Sequence, residues 1–121
     1  MKKIFVIMTF LSSIFGAKAQ QFDAIKILDV ASFKEAVLGK NVQLVDVRTP
    51  REYEAGHIDN AINIDYFKLD KFKQSFDALD KEKPVYVYCR SGNRSQKAAR
   101  KLLGMGFNTV YDLKGGYMFY K

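Results

Sequence analysis

The chain has no tryptophan, a single histidine, a single cysteine and only two prolines. One cysteine excludes an internal disulfide, so apolar packing alone must hold the fold. No His/Cys/Asp cluster stands at metal-ligand spacing, and neither a metal site nor a cofactor is expected. Repeats, low-complexity tracts and internal linkers are missing. The lysines are scattered rather than striped and no recognition motif accompanies them, so nucleic acid is not expected as a partner. The apolar run from Ile4 to Phe15 is too short to cross a bilayer comfortably.

That run sits inside "MKKIFVIMTFLSSIFGAKAQ". Lys2 and Lys3 form a charged start, and Ala17-Lys18-Ala19 forms a small-residue cleavage site. The pattern is that of a secretory signal peptide over residues 1–19. Residues 20–121 then make one domain, periplasmic or secreted, with no membrane segment and expected to be a monomer. Gln20, not a cysteine, stands directly after the cleavage site, so a lipid anchor is unsupported. Loss of Lys2, Lys3 and Lys18 lowers the formal charge from +7 to +4. Such a mild basic excess suits small anions. Export implies an oxidising compartment. There the lone Cys89 is either buried and inert or kept free for chemistry.

Strand-like and helix-like stretches alternate along the domain. "SFKEAVLG" predicts a helix with Ser32 as N-cap, Glu35 closing a capping box and Gly39 as the stop. "VQLVDV" (Val42 to Val47) is apolar on both faces, as in a buried parallel sheet. "TPREYEAG" predicts a second capped turn, with Thr49 as N-cap, Pro50 at the first helical position and Glu52 closing the box. "AINI" is a short strand. Leu69, Phe72, Phe76 and Leu79 then mark one face of a helix. "PVYVY" and "NTVYDL" are strands, and Ile25 to Leu28 is a weaker one. Between the last two clear strands lies a helix from Ser95, ended by Gly104 and Gly106. This order implies an α/β fold, a parallel sheet of about five strands with helices on both faces. Ligands of such sheets sit beyond the carboxyl ends of the strands, which is where Cys89 falls.

The loop "YCRSGNRS" surrounds that cysteine with small, polar and cationic residues. A free thiol is only about 3 % ionised at neutral pH. The N-terminus of the following helix, together with Arg90 and Arg94, favours the thiolate. Gly92 lets backbone N–H groups converge on one point. Ser91, Asn93 and Ser95 can brace the curve or bond a ligand. Cys89 is therefore the candidate nucleophile, and residues 90 to 95 the candidate anion cradle. His57 is expected to bond backbone rather than act as a base. Asp46 and Arg48 are expected to form an internal pair at a strand end.

The loop resembles the active site of single-domain rhodanese-like sulfurtransferases. Three further stretches agree: "LVDVRTPREYEAGHIDNAINI", "SQKAARKLLGMGF" and "LKGGYMFY". The resemblance implies a persulfide cycle. Cys89 takes the outer sulfur of a donor such as thiosulfate, releases sulfite, and passes the sulfur to a thiophilic acceptor such as cyanide or a thiol. It implies that Arg90 and Arg94 orient the donor and that Ser91, Gly92, Asn93 and Ser95 shape the cradle. Tyr120 stands where the family often has tryptophan, which predicts looser packing of the last helix. Two rivals remain. A sulfur-relay or binding module would pass sulfur to one protein partner. A phosphatase or arsenate reductase on the same fold would have five residues between cysteine and arginine, whereas four separate Cys89 from Arg94.

Overall fold

The computed structural model describes residues 24–120; the expected signal peptide over residues 1–19 lies outside the described residues. The order of elements is β1 (Ile25–Leu28), α1 (Val30–Val37), β2 (Gln43–Asp46), α2 (Pro50–Ala55), β3 (Ile62–Asn63), α3 (Leu69–Asp77), β4 (Val85–Tyr88), α4 (Asn93–Gly104), β5 (Val110–Leu113) and a short 3₁₀ turn (Tyr117–Phe119). All strand pairings are parallel, in the order β1-β5-β4-β2-β3. β4, which delivers Cys89, is the central strand.

Alternation along each strand sorts the side chains onto two faces. Val85, Val87 and Cys89 share one core with Phe72 and Phe76 of α3, and with Ala98, Ala99 and Leu102 of α4. Tyr88 and Leu44 share the other with Phe33 and Val37 of α1. Both faces are thus covered, as the apolar residues on both sides of β2 and β4 require.

Local chemistry explains most element ends. At α2 the Thr49 side chain accepts from the Glu52 N–H and the Glu52 side chain accepts from the Thr49 N–H, the reciprocal box expected from sequence. At α1 the expected cap is wrong. Asp29, three residues before Ser32, caps the helix by accepting from the Ser32 N–H at 2.8 Å. Both residues are good caps, and the earlier one brings Val30 into the helix. α4 likewise begins at Asn93 rather than Ser95, with Gly92 as its N-cap. On α3, Phe72 and Phe76 are buried while Leu69 is 53 % exposed, because the first helical residue overhangs the core.

Candidate active site

The carboxyl ends of β2, β4 and β5 converge on one edge, and a buried pair stiffens it. Asp46 ends β2 and accepts from Arg48 Nη2 at 2.6 Å, Arg48 Nε at 2.9 and 3.0 Å and the Arg48 backbone N–H at 2.9 Å. Arg48 Nη2 also donates to the Gly56 carbonyl at 2.7 Å. Its guanidinium lies 4.5 Å over the Tyr117 ring and 5.6 Å from that of Tyr88. Asp46 is fully buried and Arg48 5 % exposed. Their pairing is structural, tying the end of β2 to the loop after α2. Burial holds the Tyr88 hydroxyl protonated, well above its usual range, and Asp46 adds to the effect. That hydroxyl accepts from the Ile58 N–H at 3.0 Å. His57 is exposed, stacks on Tyr53 and contacts the Tyr53 carbonyl through Nδ1 at 2.8 Å.

Cys89 follows β4 directly and is 1 % exposed. The Gly92 N–H donates to its sulfur at 3.0 Å, closing a tight turn. Gly92 makes that turn at φ 101°, a left-handed conformation costly for residues with a Cβ. The thiol donates to Ser95 Oγ at 3.4 Å, and the Ser95 hydroxyl lies 3.2 Å from the Gly92 carbonyl. The first intrahelical bond runs from the Gln96 N–H to the Gly92 carbonyl. The N–H groups of Asn93, Arg94 and Ser95 are therefore left without helical acceptors, and they make an anion-binding end.

A second turn braces this loop from outside. After β5 the chain folds back so that the Tyr117 N–H donates to the Cys89 carbonyl at 2.8 Å and the Met118 N–H to the Arg90 carbonyl at 3.1 Å. Gly116 permits the approach. It sits at φ 71°, and a Cβ there would collide with the Arg90 carbonyl.

The candidate residues divide into three groups. Cys89, Gly92 and Ser95 meet inside the turn. Ser91 and Asn93 are exposed, and their side chains make no hydrogen bond among the described residues; their part in the cradle is backbone. Arg90 is exposed and lines a cleft of about 400 Å³ with Arg48, Glu52, Ala55, Gly56, Tyr117 and Met118. Arg94 is engaged elsewhere. Its guanidinium grips Glu52 of α2 with Nη1–Oε1 at 2.7 Å and Nη2–Oε2 at 3.0 Å, and covers the Phe67 ring at 5.3 Å. Arg94 holds the Glu52 carboxyl down at about 2, and Glu52 in turn raises Arg94. Cys89 also falls within the electrostatic reach of Arg94.

Sequence reasoning missed three residues here. Glu52 was read only as a cap, and its distance of 42 residues from Arg94 hides the pairing. Tyr117 and its N–H were read as part of a closing motif, without their bond to Cys89. Asp112 on β5 was passed over as a strand residue, although it is 1 % exposed. Its one signal was a charge standing two residues after Val110, on an apolar face.

A parallel α/β domain with a buried cysteine in an N–H cradle at the carboxyl edge of its sheet defines a class of enzymes that carry a group on sulfur. Comparison with known proteins narrows the class. Residues 21–121 match the rhodanese-like domain family, and the chain belongs to that family. It is 44 % identical over 78 residues to the uncharacterized protein YqhL of Bacillus subtilis (strain 168), covering 64 % of this chain and 60 % of that one. It is 40 % identical over 87 residues to the thiosulfate sulfurtransferase GlpE of Coxiella burnetii (strain RSA 331 / Henzerling II), covering 72 % and 78 %. Among solved structures, a rhodanese-like domain protein from Staphylococcus aureus superposes with a TM-score of 0.69 at 30 % identity, over 79 % of this chain and 91 % of that one.

Proposed function

We propose that this chain is an exported sulfurtransferase that moves sulfane sulfur from thiosulfate or a persulfide donor to a thiophilic acceptor through a Cys89 persulfide. The observation that carries the reading is the turn itself. The Gly92 N–H lies on the Cys89 sulfur, and the free N–H groups of the next helical turn follow it. Such a cradle stabilises a sulfur bearing extra negative charge. Attack by the Cys89 thiolate on the outer sulfur of thiosulfate forms one S–S bond and breaks another, and sulfite leaves with the electron pair. The acceptor then takes the sulfur and regenerates the thiolate. Arg90, facing the cleft, meets the dianionic donor. Arg94, locked on Glu52, orients the helix start and adds positive potential from behind the loop. The short count between Cys89 and Arg94 supports sulfur over phosphate or arsenate.

The experiment is sulfur transfer from thiosulfate to cyanide by the purified domain, with Cys89→Ser as the control. Transfer that Cys89→Ser abolishes upholds the reading. Efficient phosphate-ester hydrolysis without sulfur transfer overturns it. Export is tested by N-terminal sequencing of the protein from the producing cell, expected to begin at Gln20.

One observation favours a protein acceptor, as in the relay reading. Met118 is 54 % exposed and Phe119 66 % exposed on the turn bonded to the Cys89 loop, and Phe67 is 61 % exposed beneath Arg94. Phe107 takes no part in this patch, being buried in the core. A relay predicts rapid persulfide formation with slow turnover onto cyanide.

A further inference from the structure

The Glu52 carboxylate is held from two sides. Its Oε1 accepts from the Thr49 N–H at 3.1 Å, from the Thr49 hydroxyl at 3.0 Å and from Arg94 Nη1 at 2.7 Å, while Oε2 accepts from Arg94 Nη2 at 3.0 Å. Phe67 lies against the guanidinium at 5.3 Å. A bidentate pair restrained in this way has one direction, unlike a loose surface pair. Arg94 does not serve α4 itself. It stands in the first turn, which holds no acid, and a cation there opposes the helix dipole. Glu52, on a different element, supplies the missing negative charge.

The consequence falls on the cleft. Glu52 is on its wall, and Arg94 is not. Arg48, also on the wall, is closed on Asp46. Arg90 is thus the one cation of the wall without a carboxylate partner among the described residues. The cleft, of about 400 Å³, is far larger than thiosulfate needs, and Ala55, Tyr117 and Met118 give it apolar surface that thiosulfate cannot use. Pockets of this size take organic molecules. Charge points the same way. Thiosulfate brings two negative charges towards a thiolate that already holds one, and sulfite leaves with two. An organic hydropersulfide, R–S–SH, brings at most one, and RS⁻ leaves with one. A single open guanidinium suits the second donor better than the first.

We propose that Glu52 is a specificity-determining residue: by engaging Arg94 and facing the cleft, it turns the site towards organic persulfides of low molecular weight and away from dianionic thiosulfate. The substrate class rests on the sulfurtransferase reading. The Cys89 thiolate attacks the outer sulfur of R–S–SH. One S–S bond forms, the other breaks, RS⁻ leaves with the electron pair, and the hydrogen stays on the transferred sulfur. Arg90 meets the departing thiolate, and Ala55, Tyr117 and Met118 take the carbon body.

The test compares Glu52→Gln with the wild-type full chain on thiosulfate and on an uncharged alkyl hydropersulfide, reading the rate of Cys89 persulfide formation against donor concentration. The substitution keeps the size of the side chain and removes its charge. Apparent affinity for thiosulfate should rise about three- to fivefold, and that for the hydropersulfide should not. Glu52→Asp, which keeps the charge, should keep the wild-type ratio of the two donors. Equal changes on both donors, as a merely structural role would give, or an unchanged ratio in Glu52→Gln, would overturn the proposal. Sulfite at pH 8 serves as an unreactive dianion in the Cys89→Ser background. Glu52→Gln should tighten its binding by a similar factor, and unchanged binding overturns the proposal. A readout on the native pair covers variants that fail to fold. Sulfite should shift the guanidinium resonances of Arg90 and leave those of Arg94 in place; movement of Arg94, or of neither, overturns it. Intact mass separates the two claims. Tighter sulfite binding without a persulfide from either donor would uphold the charge role of Glu52 and sink the sulfurtransferase reading.

Discussion

Asp46 and Asp112 lie on opposite faces of one sheet, both buried, and among the described residues only Asp46 of the two has a counter-ion. Asp46 faces the α1 side, where Arg48, Tyr88 and Tyr117 close around it. Asp112 faces the α4 side, beside Val87 and Val110, and its Oδ1 has no hydrogen-bond partner among the described residues. The difference shows what each face is for. A carboxylate given four donor contacts from Arg48 is fixed in one state and fixes the backbone around it. A carboxyl left with a bare oxygen can exist with or without its proton. The same contrast holds for the arginines. Arg48 and Arg94 are both held by carboxylates, whereas Arg90 faces the open cleft.

Breaking the paired side should have the largest effect. Arg48→Met leaves Asp46 buried without its partner and should cost about 3–5 kcal/mol, read by denaturant unfolding. Asp112 should behave in the opposite sense. Its folded pKa is raised from 3.8 to about 6. The native state thus holds the proton more tightly than the unfolded chain. The stabilisation is fully present below pH 3.8 and is lost as pH rises through 6. Wild-type stability should fall by roughly 2–3 kcal/mol between pH 4 and pH 7 on this account, and Asp112→Asn should remove that slope. A slope unchanged in the variant would mean that other groups set it.

Glu52→Gln sharpens the comparison of the arginines. It should cost about 1 kcal/mol, since the pair is partly exposed. It should also lower the donor KM if release of Arg94 adds a second cation to the cleft. The carboxyl of Glu52 is depressed from 4.5 to about 2. Its contribution is therefore present above pH 4.5 and is lost as pH falls through 2, the reverse of Asp112. The smallest effect concerns Tyr120. Its ring stacks on Tyr117 and Lys34 lies over it, so the aromatic place is filled, but its hydroxyl is buried without a partner among the described residues. Tyr120→Phe should raise stability by about 1 kcal/mol, seen as a higher Tm.

Local chemistry was the most legible part of this chain. The Thr49–Glu52 box, the apolar residues on both faces of β2 and β4, and a cysteine between strand and helix can each be read within a few residues. Even β1, marked only by Ile25 to Leu28, follows from the alternation of strands and helices. Competing signals misled at helix starts: Asp29 and Ser32 both suit an N-cap, and only the packing of Phe33 and Val37 decides between them. Contacts between distant segments were not legible. Nothing near Arg94 points to Glu52, and nothing near Cys89 points to the Tyr117 N–H. These meet only because parallel crossovers bring the ends of β2, β4 and β5 to one edge.

The central claim is that Cys89 carries the sulfur, and intact mass spectrometry after incubation with thiosulfate tests it most directly. The account predicts an added mass of one sulfur atom, absent in Cys89→Ser and removed by a thiol reductant. An unchanged mass in the folded wild-type protein offered both thiosulfate and a persulfide donor would contradict it.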